Sequence, residues 1–227
     1  MPRSTLRLIA GATLTVAAAS MPAAAQQYPA RAVQFIVPYA AGGNGDIVAR
    51  LVGQRLAAAL GQPVLIDNRP GAGGNIGAEQ AARAPADGYS IMLTSNSHTI
   101  NMSLYKNLGF DINRDFAAVS IVSTAPLALI VHPSLQARNL KELIALAKAS
   151  PGQLHYATPG SGSGAHLTAE LLKASAGIDL VHVPYKGAPQ ANTDLVAGQV
   201  QLMFNAASTA MNLIQGGKVR GIAVSTP

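Results

Sequence analysis

The stretch VQFIVPYAAGGNGDIVARLVGQRLAAAL, residues 33–60, determines the predicted fold. It opens with an apolar, β-branched and aromatic run of strand length, and the glycine-rich segment AGGNGD then interrupts the run. The apolar residues that follow recur at helical spacing and form one stripe. The stripe consists of Ile47, Leu51, Val52, Leu56 and Leu60. The stretch therefore predicts a strand, a glycine loop and an amphipathic helix.

The same alternation continues downstream of this unit. PVLID (63–67) predicts a second strand, NRPGAGGN (68–75) a tight loop, IGAEQAARA (76–84) a helix and YSIML (89–93) a third strand. Alternating strands and helices indicate a parallel sheet with right-handed crossovers. The pattern weakens over residues 94–115, which we predict to be irregular.

The second half of the chain repeats this organisation. AVSIVSTAPLALIVHP (118–133) is longer than one strand and contains Pro126, so we expect it to cross from one domain into another. Further elements follow in alternation, as helices over residues 139–149, 166–176, 188–197 and 210–215 and strands over residues 154–158, 179–183, 200–204 and 219–225. Two successive α/β units are therefore predicted.

The first 25 residues have the composition of a secretory leader. Two arginines precede an apolar run over residues 8–19, and small residues end at Ala25. We predict a signal peptide over residues 1–25 that is cleaved before Gln26. The alternative, a membrane anchor, is disfavoured because the run is shorter than the ~20 residues that span a bilayer.

Composition excludes several classes of protein. The chain carries 16 lysine and arginine residues against 10 aspartate and glutamate residues, and the predicted cleavage removes two of the arginines. The basic residues are scattered and not interleaved with aromatic ones, so no nucleic acid is expected as a partner. The chain has no cysteine, which excludes disulfides and thiolate metal sites.

Two glycine-rich loops, residues 40–46 and 158–165, each connect a predicted strand to a predicted helix. Ligands of open α/β sheets bind at such places, where helix N-termini present unpaired N–H groups and partial positive charge. Two loops of this kind could hold the two ends of one anionic ligand. The alternative is that both are ordinary strand-to-helix turns whose glycines serve only the turn geometry.

Motifs for phosphate binding, catalysis and metal binding are missing from the sequence. Ile76 stands where a dinucleotide fingerprint needs its third glycine, and Asn212 where a P-loop needs its first. Neither Ser161 nor Ser163 lies in a G-x-S-x-G elbow, and the five histidines are widely spaced. We therefore predict no catalytic residue, no metal and no cofactor.

Three segments together resemble one family. Residues 36–93, the glycine loop with His166 and Leu167, and VHVPYKGAPQANTDLVAGQVQLMF (181–204) resemble the Bug-type extracytoplasmic solute receptors of tripartite tricarboxylate transporters. The resemblance runs from Tyr28 to the end of the chain. It implies a two-lobed, periplasmic-binding-protein-like α/β fold in which each lobe is a mainly parallel sheet flanked by helices.

The resemblance also implies the function. A monomeric periplasmic receptor would capture a small carboxylate-containing organic acid between lobe 1 (26–125) and lobe 2 (126–227), without catalysis, and present it to the membrane subunits of the transporter. Because family members continue beyond the position of Pro227, lobe 1 is expected to be incomplete at its C-terminal end. The implied ligand contacts are Tyr39, Ala41, Gly42, Gly43, Ser95, His98, Thr158, Gly160, Ser161, Gly162, Ser163, His166 and Asn205.

Two alternatives to a transport receptor stay open at this point. One is an orphan receptor that presents its ligand to a membrane signalling partner, and the other is an α/β enzyme acting on a carboxylate or phosphate ester. Asn205 stands where many family members carry an aspartate, so the far end of the ligand is undefined. Di- and tricarboxylates, acidic amino acids and aromatic acids are all compatible with the sequence.

Overall fold

The computed structural model describes residues 28–226 of the chain. The predicted signal peptide, residues 1–25, lies outside the described residues. Between residues 28 and 226, no helix is both long and apolar enough to cross a bilayer.

The first lobe is a three-stranded parallel sheet flanked by helices, which confirms the predicted α/β class. Its strands run in the order β2, β1, β3, and Phe35 in the middle strand pairs with Ile66 and Ile91 on its two sides. The elements in chain order are β1 (Val33–Val37), α1 (Asn44–Leu60), β2 (Val64–Asn68), α2 (Asn75–Ala82), β3 (Ser90–Met92) and α3 (Asn96–Leu104).

The second lobe is a five-stranded sheet with the order β6, β5, β7, β4, β8. Among the strands of this sheet within residues 28–226, only β4 is reversed, since it pairs antiparallel with both β7 and β8, while β5 pairs parallel with β6 and β7. The elements are β4 (Leu127–Val131), α4 (Leu140–Ala149), β5 (His155–Thr158), α5 (Gly164–Ala176), β6 (Val181–Pro184), α6 (Ala188–Val196), β7 (Leu202–Ala206), α7 (Ala207–Gln215) and β8 (Arg220–Val224).

The sheet of the second lobe is buried on both faces. Leu129 and Val131 of β4 pack into one apolar cluster, whereas Ala128 and Ile130 pack into another. Side chains alternate between the faces of a strand, so these two clusters lie on opposite sides of the sheet. Burial on both faces explains why β4 reads as a continuous apolar run rather than as an alternating pattern.

The buried face of α1 differs from the predicted stripe. Ala49 and Gly53 are buried, whereas Leu51 is 61% exposed and Ile47 is 45% exposed. The helix approaches the sheet closely at Gly53, where an added Cβ would lie 3.0 Å from Cδ1 of Ile66. Small residues of α1 therefore face the sheet. The predicted apolar stripe was wrong for Ile47 and Leu51, which are exposed.

The segment between the two sheets departs furthest from the prediction. Residues 96–104 form α3, although the sequence predicted irregular structure there. The helix buries the polar residues Ser97, His98 and Asn101, so it lacks the apolar periodicity that would have revealed it. Residues 117–126 form no regular element, and Val119 and Ile121 are 90% and 84% exposed.

The corrected face of α1 gives a first prediction. Gly53→Leu should lower the free energy of unfolding by about 1–3 kcal/mol, because the new side chain would displace α1 from the sheet. Leu51→Ala, the matched exposed site two residues away, should change it by only about 0.5 kcal/mol. Urea denaturation of both variants measures these values. A cost of more than about 2 kcal/mol for Leu51→Ala would mean that the predicted stripe, not the observed one, is buried.

Candidate functional site

A cavity of about 710 Å³ lies between the two lobes. The first lobe contributes the segments that follow β1, β2 and β3, and the second lobe those that follow β5, β6 and β7. These are the carboxyl ends of the strands, the edge at which open α/β sheets bind ligands.

Six helix N-termini open onto this cavity. The residues that cap them all line its wall, as Gly43 of α1, Gly74 of α2, Ser95 of α3, Ser163 of α5, Gly187 of α6 and Ala206 of α7. Of the helices in the described chain, α4 is the exception, because it follows the reversed strand β4 and therefore starts at the opposite edge of the sheet. Each N-terminus carries unpaired N–H groups and about half a positive charge.

The side chains of the wall add no negative charge. Lys186 is the one charged residue that lines the cavity within the described part of the chain, and no aspartate or glutamate lines it there. Helix dipoles and the lysine thus act in the same direction. The cavity is therefore electropositive and suited to an anion.

In the glycine loop of the second lobe, several polar groups are already hydrogen-bonded within the loop. The Gly160 N–H donates to Thr158 Oγ1 at 3.3 Å, and the Gly162 N–H donates to His166 Nδ1 at 3.2 Å. Ser163 Oγ accepts the His166 N–H and so caps α5. The backbone N–H groups of Ser161, Gly164 and Ala165 are free donors. These residues line the cavity, and their N–H groups have no hydrogen-bond acceptor in residues 28–226.

In the glycine loop of the first lobe, a carboxylate of the protein already occupies part of the helix N-terminus. Asp46 is 4% exposed, and its Oδ2 accepts the Gly42 N–H at 2.9 Å and Arg50 Nε at 3.0 Å. Burial alone would raise the pKa of Asp46, but the hydrogen bonds from Arg50 and Gly42 outweigh it and lower the pKa. The carboxylate of Asp46 therefore takes up one of the backbone donors at the start of α1.

Tyr39 and Ser95 form a polar pair on the wall of the first lobe. The Tyr39 hydroxyl donates to Ser95 Oγ at 2.7 Å, and that oxygen also accepts the Ser97 N–H at the start of α3. Burial raises the pKa of Tyr39 to about 12, so the hydroxyl stays protonated at neutral pH. Tyr39 thus gives the cavity an aromatic surface without a charge.

A third glycine loop, residues 70–74, also lines the cavity, although the sequence predicted only a tight loop there, without a dinucleotide fingerprint. Gly71, Gly73 and Gly74 all have positive φ, which explains the need for glycine. Asn101 Nδ2 of α3 donates to Gly73 O at 3.3 Å and holds the loop. The sequence signal used for the other two loops, a glycine run directly before a helix, would also have identified this loop as part of the site.

Seven of the thirteen residues predicted to contact a ligand line the cavity, namely Tyr39, Gly43, Ser95, Gly160, Ser161, Ser163 and Asn205. The other six do not line it, and these are Ala41, Gly42, His98, Thr158, Gly162 and His166. Several of these six residues instead support the wall from behind. His98, for example, forms a hydrogen bond between its Nε2 and Gly74 O at 3.3 Å. Tyr105, Ser123, Tyr185 and Lys186 line the cavity and were not predicted.

Glycines let the two lobes approach each other beside the cavity. A Cβ added to Gly73 of the first lobe would lie 2.6 Å from Ser161 O of the second. A Cβ added to Gly162 would overlap Asn101 Oδ1. A hydrogen bond also joins the two lobes, donated by Ser208 Oγ to Asn44 Oδ1 at 2.8 Å. The structure is thus a closed arrangement of the lobes.

Fold and cleft together define a two-lobed, periplasmic-binding-protein-like architecture, as the sequence predicted. The family model described as tripartite tricarboxylate transporter family receptor (TctC) matches residues 48–226, and the chain belongs to this family. Protein BugT of Bordetella pertussis is 37% identical over 194 residues, which cover 85% of this chain and 60% of BugT. The chain spans 58% and 68% of the first two curated relatives that it matches.

Two solved structures show the same fold with a ligand named. Rpa4515 of R. palustris with adipate has a TM-score of 0.85 and 36% identity, covering 88% of this chain and 67% of that one. MatC of Rhodopseudomonas palustris with bound malate has a TM-score of 0.83 and 30% identity, covering 88% and 68%. The resemblance to Bug-type receptors is therefore confirmed at the level of family and fold.

The close approach of the lobes gives a second prediction. Gly162→Ala should hold the lobes apart, because its methyl group would overlap Asn101 of the other lobe. Gly177→Ala is the matched control, since Gly177 has a similar φ of 61° but no heavy atom of the described chain within 4 Å of an added Cβ. In both variants the free energy of unfolding should fall by about 1–2 kcal/mol, because alanine is strained in the left-handed backbone conformation. Only Gly162→Ala should increase the radius of gyration in small-angle scattering, and equal radii would contradict the closed interface.

Proposed function

We propose that this chain is an extracytoplasmic receptor that captures a small organic acid in the cleft between its lobes and presents it to the membrane subunits of a tripartite tricarboxylate transporter. The observation that carries the proposal is the convergence of six helix N-termini on one cavity without an acidic side chain on its described wall. Family membership and the adipate and malate named for two related structures support the same class of ligand.

Helix ends alone supply only part of the affinity that such a receptor needs. Micromolar binding requires about 8 kcal/mol. One helix N-terminus contributes about 0.3–1 kcal/mol to an anion when exposed and up to ~2 when partly buried. Several of the six must therefore act on one ligand, and burial of its carbon chain against the Tyr39 ring and Phe204 adds an apolar contribution.

The wall also favours acids without an amino group. An ammonium group in a closed cleft needs a carboxylate partner, because an unpaired buried charge is costly. The described wall offers no carboxylate. Its polar residue Asn205 is neutral, and the Nδ2 of Asn205 donates a hydrogen bond to Asn192 Oδ1 at 2.7 Å. We therefore expect di- or tricarboxylates to bind more tightly than amino acids of the same length.

Calorimetric titration of the purified chain at pH 7.5 tests this function. We expect adipate, malate or citrate to bind with micromolar affinity, and adipamide, the uncharged isostere of adipate, to bind at least tenfold more weakly. Glutarate should bind more tightly than glutamate, from which it differs by the amino group. Equal binding of adipate and adipamide, no binding of any acid, or chemical turnover of a bound acid would contradict the proposal.

The charge of the cavity gives a third prediction. Lys186→Glu should weaken the binding of the tightest diacid by about three- to tenfold, because a negative charge would stand at the wall of an anion site. Lys141→Glu changes the net charge of the chain equally, but Lys141 lies on α4, whose N-terminus opens away from the cavity. This control should leave affinity within about twofold at 150 mM salt, where distant charges are screened. Equal losses in both variants would mean that the net charge, not the cavity, sets affinity.

A further inference from the structure

Two histidines and a tyrosine form a stack directly behind the glycine loop of the second lobe. The ring centroids of His166 and His182 lie 4.2 Å apart at an interplanar angle of 16°. Tyr156 continues the stack on the other side of His182, with centroids 4.9 Å apart and an angle of 18°. Neither histidine lines the cavity.

Each imidazole is bonded to one part of the loop. His166 Nδ1 accepts the N–H of Gly162 at 3.2 Å. His182 Nε2 and Thr158 Oγ1 are 2.7 Å apart, and the same hydroxyl oxygen accepts the N–H of Gly160 at 3.3 Å. The two glycines flank Ser161, whose free amide lines the cavity, so the stack fixes the backbone on both sides of this donor.

We propose that the stacked pair His166–His182 is a positioning device that holds the Ser161 amide in its anion-binding orientation, and that the device works only while His166 is uncharged. The inference rests on the proposed function, since it concerns the loop that would hold the ligand. His166 and His182 are positioning residues in this proposal, acting through Gly162 and Thr158.

The bond from Gly162 requires a neutral His166. Imidazole accepts a hydrogen bond only at an unprotonated nitrogen, and imidazolium is a donor at both nitrogens. A protonated His166 therefore loses the acceptor for the Gly162 N–H and places a positive charge against that donor. A charge on one ring of the stack also opposes a charge on the other, which lies 4.2 Å away.

The surroundings of the stack keep both rings neutral at pH 7. Burial lowers the pKa of His182 to about 4, assisted by the charge of His166, and burial also lowers the pKa of His166. The other titratable groups that face the pair are Tyr156, Glu170 and Lys173. Glu170 accepts from the Tyr156 hydroxyl and from Lys173 Nζ at 2.9 Å, so its charge is already shared.

The sign of the pH effect follows from these pKa directions. Both pKa values are lowered by folding, so the neutral pair contributes stability that is fully present above the unfolded value of about 6.5. That contribution is lost as the pH falls through the folded pKa values, the lower of which is about 4. The loop should therefore loosen, and anion affinity should fall, as the pH falls below about 6.5 and His166 takes up a proton.

A simple electrostatic view predicts the opposite sign. If protonated histidines only added positive charge near the cavity, acidification would strengthen the binding of an anion. The direction of the pH effect therefore separates a positioning role from a charge effect.

The fourth prediction uses malate as the probe in calorimetric titrations of the purified chain at pH 7.5 and pH 4.5. His166→Asn keeps an acceptor at the position of Nδ1 but does not titrate, so it should bind at pH 7.5 within about twofold of the wild type. His166→Ala removes the acceptor and should bind about tenfold more weakly than His166→Asn at both pH values, as expected for one lost hydrogen bond.

The ratio of wild-type to His166→Asn affinity should fall as the pH is lowered from 7.5, by up to about tenfold once His166 is protonated. Taking this ratio at one pH cancels the protonation of malate, which is the same for both proteins. A constant ratio, or a ratio that rises on acidification, would overturn the proposal. Wild-type affinity of His166→Ala at pH 7.5 would overturn it as well.

A measurement without ligand separates this proposal from the proposed function. Amide hydrogen exchange of Gly162, followed by NMR in the ligand-free chain, should be about tenfold faster in His166→Ala than in the wild type or His166→Asn. If no acid binds at any pH, the proposed function fails, and the exchange rates still decide the positioning role. Equal exchange in all three proteins would overturn the positioning role even where malate binds.

Discussion

Strand direction is the constraint on which the site depends. A helix that follows a parallel strand begins at the carboxyl edge of the sheet, so every parallel crossover brings one more N-terminus to the same edge. The two lobes of this chain place such edges opposite each other, and six N-termini meet across the cleft. The reversed strand β4 is consistent with this rule, because the helix that follows it, α4, begins at the opposite edge of the sheet, away from the cleft. The electropositive cavity is therefore a product of topology more than of charged side chains.

The glycines of the three loops serve two requirements at once. A methyl group at Gly73 would collide with the Ser161 carbonyl oxygen of the other lobe, and one at Gly162 would collide with the Asn101 side chain. The same loops must leave amides free for a ligand, as at Ser161. A loop that only made a tight turn would need neither property. The close approach comes from the absence of side chains at Gly73 and Gly162, and the free amide belongs to the residue beside Gly162, so the loops need glycine next to the donor.

The sequence predicted the regular part of the fold well and the supporting part of the site poorly. β1, α1, β2 and β3 were predicted because their apolar residues recur with the period of a strand or a helix. α3 was missed because its buried face is polar, with His98 and Asn101 bonded to the loop before α2. The face of α1 was misassigned because Gly53 carries no apolar side chain and yet makes the closest contact with the sheet.

The same distinction explains the outcome for the site. Ser161 and Ser163 lie on a glycine loop before a helix, a local signal, and they line the cavity. Thr158 and His166 were taken from the same segment, yet they lie behind the wall. Whether a residue faces the ligand or the support depends on how β5, β6 and α5 pack together. The stacking of His182 of β6 on His166 of α5 is a contact between elements that no local pattern encodes.

The supports behind the wall are neutral where charge would be harmful. Seven of the eight buried polar or charged residues in the described chain carry no formal charge at pH 7, among them His98, whose pKa is lowered by burial. The exception, Asp46, is paired with Arg50, which limits its negative potential at the cavity. An unpaired buried carboxylate would cancel the field of the helix N-termini, and an unpaired buried cation would need a partner of its own. Neutral amide, hydroxyl and imidazole groups hold the loops without either cost, so an anion site made from backbone dipoles requires a support made from uncharged donors and acceptors.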